Sequence, residues 1–72
     1  MNREQFRERL TEYVMQSNLT RAEIAKRAHI APSTLSAYLS GKALPSVSVL
    51  ARLKAVLGLR VDYLLGLTDE RG

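Results

Sequence analysis

Cysteine is absent from the 72-residue chain. Disulfides therefore cannot compensate for a thin core, and zinc sites built on thiolates are excluded. Histidine occurs once, at His29, without a second histidine beside it, so no metal site and no cofactor are expected. No apolar run is long enough to cross a bilayer, and residues 1–12 are charged and lack the apolar stretch of a signal peptide. These absences point to a soluble protein of a reducing cytoplasm with no membrane partner. Ser36 and His29 lie near each other in sequence, but a nucleophile also needs an oriented base and an oxyanion site, and two short helices offer neither. No catalytic residue and no small-molecule ligand emerges, and an enzyme is not expected.

A chain this short buries about 60% of the surface its unfolded form exposes, enough for one modest core but not for a second domain. With 46% hydrophobic and 25% charged residues its composition is globular rather than disordered. The net charge is +4, and residues 20–44 hold Arg21, Lys26, Arg27 and Lys42 against Glu23 alone. Such a local basic excess suits a polyanion, although charge by itself does not identify one.

Periodicity supplies the architecture. Phe6, Leu10 and Val14 recur every four residues with Tyr13 beside them, while Glu4, Glu8 and Glu12 form a separate, solvated stripe; Asn2 caps this helix, with Gln5 in the reciprocal position. Thr20 and Glu23 form a capping box flanked by a Leu19/Ile24 staple, and the short helix that follows turns Ile24, Ala25 and Ala28 inward. Pro32 suits the first position of a third helix, with Ile30 and Leu35 as a second staple, Gly41 as its stop and Ala31 as a poor cap. Ser46 caps a fourth helix that carries Leu50, Leu53 and Leu57 to Gly58, and a last one supplies Leu64 and Leu65 before Gly66. The expected helices span about residues 2–16, 20–28, 32–40, 46–57 and 61–66, with no strand. One domain covers 1–67, and the polar residues 68–72 are expected to form a flexible tail.

The informative feature is the pair of short helices joined by three or four residues, with the small Ala25 inside the first and apolar Ile30 and Leu35 at the turn. Two helices crossing at about 90–120° need a small residue where they meet, and the pair leaves one face of its second helix free for a DNA major groove. Here the sequence resembles the lambda-repressor-like helix-turn-helix proteins, which include Cro, phage repressors and Xre-type regulators. The resemblance covers residues 19–65 without a gap, through LTRAEIAKRA at 19–28, IAPSTLSAYLSGK at 30–42, the PS pair at 45–46 and LGLRVDYLLGL at 57–67. It implies an all-α, five-helix domain with helix 2 across the DNA backbone and helix 3 in the major groove. It also implies a transcriptional regulator, most often a repressor, acting as a homodimer on a pseudo-palindromic double-stranded operator at the nucleoid of a bacterial or phage-infected cell. Members often carry glycine where His29 stands, serine at Ala31, glutamine at Arg21, glutamate at Leu39 and a long polar base reader at Pro32. Phage repressors can hold a buried arginine–glutamate pair at the positions of Val14 and Leu39, which are both apolar here.

At about 100° per residue, Leu35, Tyr38 and Leu39 share one side of helix 3 and Pro32, Ser33, Ser36, Ala37 and Ser40 the other. Pro32, Ser33, Ser36 and Ala37 are the candidate base-contacting residues, with hydroxyls for base edges and the Ala37 methyl for a thymine methyl. None reaches as arginine does to guanine, so selectivity leans on DNA shape. Arg21 at the start of helix 2, assisted by Thr20, and Ser40 and Lys42 at the end of helix 3 are the candidate phosphate contacts. Val49, Val56, Tyr63 and Leu67 fall outside the core stripe, and Val56, Tyr63 and Leu67 are the candidate dimer interface. The alternative is a protein-interaction module, antitoxin-like or adaptor-like, on the same fold. A chain that is the DNA-binding half of a longer repressor would carry out the same function, and the linker character of 68–72 suits it.

Overall fold

The computed structural model describes residues 1–71. Among them are five helices and no strand: α1 (Arg3–Gln16), α2 (Arg21–Arg27), α3 (Pro32–Leu39), α4 (Val47–Leu57) and α5 (Val61–Leu64). Each lies within two residues of its expected span, because local chemistry writes most of the ends. Asn2 Oδ1 accepts from the amides of Glu4 and Gln5, and Ser46 Oγ from that of Val49. At α2 the capping box is complete: the Glu23 amide donates to Thr20 Oγ1 at 3.1 Å and the Thr20 amide to Glu23 Oε1 at 3.0 Å. The reciprocal bond expected from Gln5 at α1 is not made; its Oε1 lies close against Gly66 instead. None of these helices is long and apolar enough to cross a membrane.

α2 packs on α3 and α4, and α1 spans α3 and α5. The core beneath them contains Phe6, Leu10, Ile24, Ala25, Ala28, Leu35, Tyr38, Leu39, Leu53 and Leu64, as the inward stripes require, with Leu50 and Leu57 half-buried at its edge. The sequence stripe misplaced three residues. Tyr63 is buried, and Val49 and Val56 are half-buried against the core, since a one-turn helix such as α5 has no stripe to read and α4 is covered over more than one narrow seam. Leu59, in the connection between α4 and α5, is fully buried as well.

Among the described residues one charged side chain is buried. Arg9 is 9% exposed and occupies the apolar stripe of α1 between Phe6 and Tyr13. Its guanidinium lies 4.0 Å from the Tyr63 ring centroid and donates to the carbonyls of Tyr63 and Thr68 at 2.5 and 2.8 Å, and to Asp69 Oδ1 at 2.9 Å. Glu12, assigned to the solvated stripe, is half-buried and accepts the Tyr63 hydroxyl at 2.8 Å. Burial and this carboxylate together push the Tyr63 phenol up from its ordinary pKa. Tyr13 meets Tyr63 edge-on and donates to the Arg71 carbonyl at 3.3 Å. Residues 68–71 of the expected tail thus lie against α1, and Gly72 lies outside the described residues.

Val14 and Leu39 are both buried in this core, on the helix pair α1 and α3. Leu39→Glu should therefore cost about 3 kcal/mol or more, because an unpaired carboxylate is placed in an apolar site. Val14→Arg in the same chain should recover part of that loss. Thermal melts of both single variants and the double variant check this, and purely additive losses would mean that the two side chains do not meet.

Candidate nucleic-acid interface

The interface begins with how α2 stops. The His29 amide donates back to the Lys26 carbonyl at 3.2 Å and the Ile30 amide to the Ala25 carbonyl at 3.0 Å, the paired bonds of a Schellman closure. That closure needs a left-handed residue, and His29 supplies it with φ 57° where glycine would be free of strain. Ile30 is half-buried against the core, Ala31 is extended without a side-chain cap, and Pro32 starts α3 at once. From outside the pair, Arg52 of α4 donates its Nε to the Ala28 carbonyl at 2.7 Å and braces the same helix end. α3 ends by the same closure: Gly41, at φ 80°, donates to Tyr38, and Lys42 to Ala37 at 2.9 Å. Lys42 is thereby fixed beside the last turn of α3.

These constraints bring six of the eight candidate contact residues together. Arg21, Ser33, Ser36, Ala37, Ser40 and Lys42 line one open depression of about 480 Å³, with a guanidinium and an ammonium as its only charged groups. Pro32 is exposed on the same helix at its first turn, and Thr20 is exposed at the start of α2 with its Oγ1 already accepting the Glu23 amide. Ser40 Oγ donates to the Ala37 carbonyl at 3.2 Å, so its proton is directed into the helix rather than outward. Of the interface candidates, Tyr63 is only 7% exposed, Val56 is half-buried and Leu67 is 77% exposed.

Two contributors escaped the sequence reading. Arg52 is one cation among several on paper, and only the fold reveals its carbonyl partner 24 residues away. Arg9 did leave a signal, since it falls three residues after Phe6 and four before Tyr13, within the apolar stripe. A second depression, lined by Glu23, Lys26, Arg27 and His29, lies on exposed residues of α2 and its turn. Among the described residues no cluster of three histidine, cysteine or acidic side chains could hold a metal.

Comparison with known proteins adds one finding. The family profile described as Helix-turn-helix matches residues 10–64, from the middle of α1 to the end of α5. No curated protein and no solved structure matches the chain.

At the mouth of α2, hydrogen bonds from Thr20, its backbone amide first, hold the Glu23 carboxyl below the ordinary glutamate pKa. The folded state thus favours the ionised form, so this stabilisation is present above about pH 4.3 and is lost as pH falls through the lowered folded value. Glu23→Gln retains an acceptor but no charge. The wild-type lead in melting temperature over Glu23→Gln at pH 7 should shrink as pH falls below about 4, and a lead independent of pH would show that the carboxylate charge contributes nothing at this cap.

Proposed function

The chain belongs to the lambda-repressor-like helix-turn-helix family of DNA-binding transcription regulators, and from that premise we propose that it is a sequence-selective repressor that reads the major groove with α3 as a homodimer. The observation that carries this reading is the single depression formed by Arg21, Ser33, Ser36, Ala37, Ser40 and Lys42. Cations at the start of α2 and just after α3 flank an uncharged helix face, and that is the division of labour duplex DNA demands: charges neutralise phosphates, while the helix between them meets base edges. Thr20 adds a hydroxyl on the phosphate side, and Pro32 leads the reading helix into the groove. The protein acts by occupying an operator at the bacterial nucleoid, not by catalysis.

Size supports the homodimer. The longest extent of the chain is 29 Å, shorter than the roughly 34 Å that separates successive major-groove faces on one side of a duplex. One copy reads one half-site, and a second copy multiplies the specificity on a pseudo-palindrome. Leu67 and Val56 are the residues proposed for the contact between copies, Leu67 because of its exposure; Tyr63 has little surface left to contribute. Sedimentation should show two chains per operator duplex, and a lone chain on operator DNA would contradict the dimer.

Arg21→Ala and Lys42→Ala should weaken binding to every duplex alike and lower the salt slope by about one unit each, as loss of a single phosphate contact does. Ser33→Ala should change sequence preference instead. A salt titration of duplex binding checks both. Binding that does not respond to salt would favour an apolar protein partner, and an Arg21→Ala variant with altered preference and an unchanged slope would reverse the assignment of the two faces.

A further inference from the structure

The outward face of α3 contains no long side chain. Pro32, Ser33, Ser36, Ala37 and Ser40 extend no further than a ring methylene, a hydroxyl or a methyl. Bidentate recognition of a purine edge requires the reach of arginine, asparagine or glutamine, and the two long side chains in the depression, Arg21 and Lys42, lie on α2 and beyond the end of α3. The Ser40 proton is already given to the Ala37 carbonyl. What the face presents to a groove is aliphatic surface from Pro32 and Ala37, interrupted by the short hydroxyls of Ser33 and Ser36. A base edge in the major groove offers one apolar group, the C5 methyl of thymine.

Resting on the reading of this chain as a duplex-DNA binder, we propose that α3 recognises the arrangement of pyrimidine 5-methyl groups in its half-site, with Pro32 and Ala37 as the contacts, and not purine N7, O6 or N6 groups. Short side chains serve this mode because a helix without long readers approaches the groove floor closely enough for methyl-to-methyl contact. The chemistry makes 5-methylcytosine equivalent to thymine at the contacted positions, since both present the same methyl group at the same place.

The test uses a duplex selected by the intact protein from a random pool, altered one base at a time. Deoxyuridine in place of thymidine removes only the methyl group, and a 7-deazapurine removes only the N7 acceptor. Each contacted methyl removed should weaken binding about fourfold, the value of one buried methyl group. Replacing that uracil with 5-methylcytosine, paired with guanine, should restore most of the affinity, and 7-deazapurines should leave it largely unchanged. Ala37→Gly should abolish the thymine-over-uracil preference at one position, with circular dichroism confirming its fold. Losses with 7-deazapurines and none with uracil would overturn the inference while leaving the duplex-binding reading intact. Failure to select any duplex, or binding indifferent to salt, would overturn both.

Discussion

The Schellman closure at His29 determines where α3 goes. Two hydrogen bonds, donated by the His29 amide to the Lys26 carbonyl and by the Ile30 amide to the Ala25 carbonyl, force one residue into the left-handed region and turn the chain from α2 into α3 across residues 28–31. A non-glycine residue in that region costs roughly 1–2 kcal/mol, and the surrounding contacts hold it there: Ile30 against the core, Arg52 on the Ala28 carbonyl, and Ala25 and Ala28 buried without residual exposure. Once this corner is fixed, the direction of α3 and the meeting of Ser33, Ser36 and Ala37 with Arg21 follow.

A second set of contacts fastens α1 to the end of the chain. Arg9 joins a cation–aromatic contact with Tyr63 to three hydrogen bonds that reach into residues 63–69, and Glu12 holds the Tyr63 hydroxyl. A buried guanidinium would be costly alone, but here two carbonyls and the Asp69 carboxylate accept its hydrogen bonds and the Tyr63 ring faces its charge. No buried side-chain nitrogen or oxygen among the described residues lacks a partner. Because α1 also packs on α3, this assembly supports α3 from the side away from its open face.

What could be read from the sequence was chemistry confined to a few residues. The Thr20–Glu23 box, Pro32 at the first position of α3, the stops at Gly41 and Gly66 and the inward set Ile24, Ala25 and Ala28 are decided within about one turn of chain, so pattern and propensity suffice for them. The grouping of Arg21 with Ser33 and Lys42 was also legible, because the turn between α2 and α3 is short enough to leave few geometries. The burial of Tyr63 and Leu59 and the partners of Arg9 and Arg52 were not. Those contacts join residues 24 to 60 positions apart, and no local pattern encodes them. His29 was legible as a turn residue, but its positive φ depends on the two closing hydrogen bonds.

The central claim is that duplex DNA docks on the surface shared by the start of α2, the outward face of α3 and Lys42. Backbone amide chemical shifts recorded while the protein is titrated with its selected duplex test this most directly. The largest changes are expected at residues 20–21, 33–37 and 40–42, with small changes at Arg9, Glu12 and Tyr63 on α1 and α5. Changes concentrated on α1, α5 and residues 68–71, with 32–42 undisturbed, would contradict it.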